Sequence, residues 1–70
     1  MNIFRLKEGS ALDSKLVLQW NISNIGSWTS FIKGLDDNII DVKFERMHTD
    51  ITFITFKSEE HKTWFILRYS

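Results

Sequence analysis

Residues 51–57 and 63–69 are rich in apolar side chains at successive positions, and this pattern restricts the fold more than any other feature of the chain. Aromatic and β-branched residues dominate both segments, so we predict that each forms a β-strand. The apolar side chains would then point to both faces of a sheet. One face would present Ile54, Phe56, Trp64 and Ile66, and the other would present Ile51, Phe53, Phe65 and Leu67. Both faces therefore need cover.

The sequence offers one clear helix to provide that cover. Ser27 is placed to cap it, and apolar residues follow at the helical spacing i, i+3, i+4 and i+7, namely Trp28, Phe31, Ile32 and Leu35. A single short helix covers only one face of a small sheet. The second apolar face must then be buried by the N-terminal strands, by a second copy of the chain or by a foreign partner.

Further strands are predicted over residues 2–7, 15–22 and 39–45, the last two because apolar and polar side chains alternate there. Short polar turns separate the last three strands, which is typical of an antiparallel meander. We therefore expect a single α+β domain over residues 1–70. It would be a small antiparallel sheet with one short helix, in the order β-β-α-β-β-β, ending in a three-stranded meander.

Residues 58–69 permit a second interpretation. Ser58 followed by Glu59 and Glu60 resembles the start of a helix, because acidic side chains are favoured in the first turn. Residues 63–66 are aromatic or β-branched and favour a strand. We adopt the strand and keep the helix as the alternative.

The composition excludes several kinds of site. The chain has no cysteine, so it forms no disulfide and no thiolate metal site, and its two histidines are too few for a structural zinc site. No nucleophile motif, phosphate-binding glycine loop or zinc-protease motif is present. We therefore expect that the protein is not an enzyme and holds no metal and no cofactor.

The sequence also bears on location. No apolar run is long enough to span a bilayer, and the N-terminal residues do not resemble a secretory signal. The absence of cysteine fits a reducing compartment. We expect a cytoplasmic protein that does not associate with a membrane.

Acidic side chains cluster in residues 36–50, which hold five carboxylates against one lysine and one arginine. Four of them, named here the acidic strip, are Asp36, Asp37, Asp41 and Glu45. We predict that the acidic strip docks on a basic protein, such as one that normally holds nucleic acid. The alternative is an ordinary solvated strand face and helix end.

These patterns favour a small protein-binding module that acts by occlusion, as a homodimer. Ile54, Phe56, Trp64 and Ile66 would form its apolar interface with a partner or a second copy. A short, cysteine-free chain rich in isoleucine, asparagine, lysine and aromatic residues is typical of small phage and mobile-element proteins that block a host enzyme. An inhibitor of a host protein that handles nucleic acid is the corresponding hypothesis.

The alternative function is a small β-barrel-like protein that binds single-stranded nucleic acid. Basic and aromatic residues are interleaved in residues 4–7 and 62–69, and such surfaces stack bases in small barrels. Nine basic residues balance nine acidic ones, however, and a nucleic-acid-binding domain usually carries a basic excess. We therefore rank this alternative second.

Overall fold

The computed structural model describes residues 2–46 and 48–70. These residues form three strands and three helices, which are β1 (Ile3–Lys7), α1 (Ala11–Ser23), α2 (Trp28–Lys33), β2 (Ile39–Arg46), β3 (Asp50–Phe56) and α3 (Glu59–Tyr69). The predicted α+β class with a small antiparallel sheet is confirmed. The predicted order is wrong, because the elements follow one another as β-α-α-β-β-α.

The sheet has the strand order β1-β3-β2, with both neighbouring pairs antiparallel. Ile54 of the central strand β3 lies opposite Phe4 of β1 and Val42 of β2. The hairpin of β2 and β3 matches the first two strands of the predicted meander. The third place in the sheet is taken by β1, so the predicted C-terminal meander is wrong in its last strand.

The helices cover one face of this sheet. Every second residue of β3 is buried, beginning with Thr52, and these side chains point toward the helices. The buried apolar core consists of Leu6, Leu16, Phe31, Ile32, Ile39, Ile54, Phe56 and Phe65. The alternate residues Ile51, Phe53 and Thr55 lie on the opposite face, which is named here the open face of the sheet.

Residues 15–22 belong to helix α1, so the strand predicted there is wrong. The Ser10 Oγ accepts a hydrogen bond from the Asp13 N–H at 3.2 Å, which caps the helix start. Leu16 is buried and Trp20 is partly buried one turn later, whereas Leu18 is 63% exposed. The alternating apolar residues therefore lie on opposite sides of a helix instead of sharing one face of a strand.

Residues 63–69 also lie in a helix, so the strand predicted there is wrong and the helix interpretation is confirmed. The Ser58 Oγ accepts from the His61 N–H at 3.3 Å, and Glu59 and Glu60 occupy the first turn. Phe65 is buried against Phe56, with ring centroids 5.2 Å apart. This aromatic contact across the layers outweighs the strand propensity of the segment.

Candidate functional site

A groove of about 440 Å³ opens between α1, the start of α2 and the end of the β2–β3 hairpin. Its apolar wall consists of Val17 and Trp20 on α1, Trp28 on α2 and Phe44 on β2. Phe44 is 42% exposed although it lies on the helix side of the sheet. We name this cavity, with its lining residues, the aromatic groove.

Both tryptophans of the aromatic groove are fixed by their indole N–H groups. The Trp20 Nε1 donates to the backbone oxygen of Ile25 at 2.6 Å, and the Trp28 Nε1 donates to the Thr52 Oγ1 at 2.9 Å. The two ring centroids lie 5.3 Å apart in an edge-to-face arrangement. Because the rings are held before any ligand arrives, binding need not order them.

The aromatic groove also has carboxylates in its lining. Glu8, Asp13 and Asp50 line the same groove, and Arg46 is the basic side chain among its lining residues. The Arg46 Nε lies 3.3 Å from the Asp50 Oδ1, so this guanidinium pairs with one of the three carboxylates. The lining therefore has an excess of acidic groups beside exposed aromatic surface.

This combination suits a cation. The faces of tryptophan and phenylalanine rings attract ammonium and guanidinium groups through the ring quadrupole. Carboxylates in the lining add charge attraction and accept hydrogen bonds from the same groups. An apolar wall also accommodates the methylene stem of a lysine or arginine side chain. The lining of the groove therefore combines the chemical features that bind a basic side chain.

The structure divides the acidic strip between two places. Asp36 lies in the turn before β2, where its Oδ1 accepts from the Asn38 backbone N–H at 2.9 Å. Asp37 is exposed in the same turn. Asp41 and Glu45 alternate along β2 on the open face of the sheet. This hydrogen bond stabilises the turn, so Asp36 has a structural role that does not depend on a binding partner.

The four residues predicted as an apolar interface do not share one surface. Ile54 and Phe56 are fully buried in the core beneath the helices, so neither has surface to offer a partner. Trp64 is 56% exposed on α3, and Ile66 on the same helix is partly buried. Since residues 63–69 are helical, the shared strand face on which this grouping depended is not formed.

The sequence prediction missed the aromatic groove because it placed Trp20 in a strand and assigned Trp28 to a helix stripe only. The signal that could have found the groove is the serine at position 10 followed by Asp13, which is a helix start. A helix from that point turns Asp13, Val17 and Trp20 to one side.

Other functional features are limited in the described ranges. Within residues 2–46 and 48–70, no group of three or more metal-ligating side chains is assembled. No helix in the same part of the chain is long and apolar enough to span a bilayer. His61, the histidine next to Glu59 and Glu60, has its Nδ1 2.8 Å from the Ser58 Oγ and so takes part in the cap of α3.

Comparison of the chain with models of known protein families, with characterised proteins and with solved structures gives no match.

Proposed function

We propose that the protein is a small protein-binding module whose aromatic groove takes up a basic side chain of another protein. The observation that carries this proposal is the pair of fixed tryptophans beside an excess of carboxylates. A site of this kind favours a lysine or arginine that projects from a protein surface, because aromatic face and negative charge act on the same cation.

Occlusion follows from such binding. A partner that uses an arginine or lysine to hold nucleic acid loses that contact when the side chain enters the groove. This proposal places the acidic docking surface at Glu8, Asp13 and Asp50, whereas the sequence pattern predicted it at the acidic strip. A host protein that handles nucleic acid, blocked by a small phage-type inhibitor, remains the partner class that we propose.

Single-stranded nucleic acid is a weaker candidate ligand. In the described part of the chain the sheet has β1 and β2 at its edges and does not close into a barrel. The carboxylates of the aromatic groove would repel phosphate, and the open face carries Asp41 and Glu45 among its basic residues. Both surfaces therefore favour a protein partner over a polyanion.

The indole N–H signals of the three tryptophans provide a direct test by nuclear magnetic resonance. We would titrate the protein with a short apolar peptide containing arginine, and with the same peptide containing citrulline, which is uncharged. The arginine peptide should shift the signals of Trp20 and Trp28 and leave that of Trp64, which lies on α3 outside the groove. The citrulline peptide should not cause these shifts.

A variant series gives the matching affinity test. Glu8→Gln removes one carboxylate from the groove and should weaken binding of the arginine peptide by about two- to fivefold, which is the usual range for a single exposed ion pair. Glu60→Gln removes a carboxylate on α3 and is the matched control. Equal shifts of all three indole signals, or equal affinity for both peptides, would contradict the proposed function.

A further inference from the structure

The open face of the sheet carries an apolar centre that the helices do not cover. Phe53 lies at the middle of β3, with Ile51 and Thr55 on either side of it along the strand. Ile3 on β1 is 44% exposed on the same face, and the Arg5 guanidinium lies 5.9 Å from the centroid of the Phe53 ring. A shallow depression of about 260 Å³ runs over this centre.

Opposite charges flank the apolar centre. On one side, β1 presents Arg5 and Lys7. On the other side, β2 presents Asp41, Lys43 and Glu45, and the Lys43 Nζ lies 3.2 Å from the Glu45 Oε1. The β1 side of the open face is therefore basic and the β2 side is acidic on balance.

The register fixes which of these side chains lie at the same height along the sheet. Lys7 and Glu45 both pair with Ile51, whereas Arg5 and Lys43 both pair with Phe53. At the end of the face next to Ile51, the cation Lys7 on β1 and the anion Glu45 on β2 therefore lie at the same height along the strands. Such an arrangement can be complementary to itself, which is the property that a two-fold dimer requires.

We propose that a second copy of the chain covers the open face, so that two sheets pack face to face as a homodimer. A two-fold axis parallel to the strands places β1 of each copy over β2 of the other. Lys7 of one copy then lies over Glu45 of the second copy, twice in the dimer. The two Phe53 residues come together at the centre, each with the Arg5 guanidinium of its own copy over the ring.

The other face-to-face arrangement is disfavoured by charge at the ends of the face. A two-fold axis perpendicular to the strands places β1 over β1 and β2 over β2 in opposite directions, so that Glu45 of each copy faces Asp41 of the other. At the centre the two arrangements are alike, because each brings Arg5 and Lys43 into two contacts between cations. The parallel axis is therefore favoured, since it replaces two contacts between carboxylates with two pairs of Lys7 and Glu45.

This surface is distinct from the aromatic groove, which lies on the helix side of the sheet. The open face spans only three strands of five to eight residues. That area is small beside the roughly 800 Å² per partner of a standard interface. The dimer is therefore weak and forms reversibly with concentration.

Sedimentation equilibrium of the purified protein from micromolar to millimolar concentration tests the dimer. Lys7→Glu and Glu45→Lys should each weaken dimerisation by about tenfold, because each replaces two attractions with two repulsions. An equimolar mixture of the two variants should associate more tightly than either variant alone. In the mixed dimer, the contact between position 7 of the first variant and position 45 of the second again joins a carboxylate to an ammonium group. Circular dichroism checks that each variant stays folded.

Three results would overturn the dimer. The first is a monomer throughout the concentration range, and the second is a dimer that Lys7→Glu and Glu45→Lys do not affect. The third is failure of the mixed variants to associate more tightly than the separate ones while both remain folded. Salt-sensitive binding of a monomer to single-stranded oligothymidylate, lost in Lys7→Glu, would assign the face to nucleic acid instead and would also overturn the proposal.

Discussion

Thr52 connects the sheet to the aromatic groove through a single hydrogen bond. It is the one buried polar side chain among the described residues, with 2% of its surface exposed. Its hydroxyl accepts from the Trp28 Nε1 at 2.9 Å, and Trp28 in turn contacts Trp20 and Phe31. Because the hydroxyl is satisfied, its burial costs little, and the bond fixes the ring that we propose contacts the ligand.

Replacing Thr52 by valine should therefore have two measurable effects. Thr52→Val keeps the shape but leaves the Trp28 N–H without its acceptor, so we expect a loss of about 1–2 kcal/mol in the free energy of unfolding, measured in urea. The indole signal of Trp28 should also broaden or shift. Thr55→Val, on the open face of the same strand, is the control and should change the free energy of unfolding little.

If Thr52→Val and Thr55→Val were equally stable, the hydrogen bond from Trp28 would have no net energetic role. A stable Thr52→Val variant that still bound the arginine peptide with wild-type affinity would show that the fixed orientation of Trp28 is not needed for binding.

Serine caps begin all three helices in the described part of the chain. Ser10, Ser27 and Ser58 each accept from a backbone N–H three residues further on, and these bonds satisfy groups that a helix start leaves unpaired. The helices are short, with 13, 6 and 11 residues, so they depend on their caps and on packing against the sheet.

Removing the cap of α3 should lower stability measurably. Ser58→Ala should cost about 1 kcal/mol, which corresponds to a fall of roughly 4–8 °C in Tm for a domain of this size. Ser14→Ala, at an exposed position inside α1, is the matched control and should be neutral or slightly stabilising because alanine favours helix. Equal effects of the two substitutions on Tm, measured by thermal unfolding, would contradict a capping role for Ser58.

The elements differ in how far the sequence predicts them. Strand β2 follows from local alternation, β3 from its aromatic and β-branched residues, and α2 from helical spacing and the cap at Ser27. The positions of these elements and of β1 are confirmed. Helix α1 was missed because apolar and polar residues alternate over residues 15–22, and α3 was kept only as the alternative because the aromatic and β-branched residues at 63–66 favoured a strand. The groove was missed because the helix start at Ser10 was not used, and because the groove joins Trp20 and Trp28 to Thr52 on a distant strand.

The whole molecule depends on a very small core. Eight apolar side chains make up the buried core among the described residues, and the chain has no cysteine with which a disulfide could support it. A core of this size supplies only about 3–5 kcal/mol of net stability. Each large aromatic side chain in the core therefore accounts for a large share of the net stability. Local rearrangement cannot compensate for the loss of one such side chain.

The dependence of the fold on this small core can be tested by replacing Phe65. Its ring is fully buried and lies 5.2 Å from Phe56 and 4.7 Å from Tyr69, measured between centroids. Phe65→Ala should cost about 3–5 kcal/mol and leave most molecules unfolded at 25 °C, as seen by circular dichroism. Leu67→Ala, on the same helix but 70% exposed, should stay folded, and a folded Phe65→Ala variant would contradict the dependence of the fold on so small a core.

The central position of β3 determines the order in which the sheet can be completed during synthesis. Only residues 47–49 separate β2 from β3 in the sequence, whereas β1 lies far from β3. Closing the longer loop costs more entropy, so the hairpin of β2 and β3 can form before β1 joins it. On the ribosome, β1 is synthesised before β3, so it has no partner in the sheet until β3 has emerged. In that interval the unpaired backbone groups of β1 are open to pairing with other chains, which is a route to aggregation.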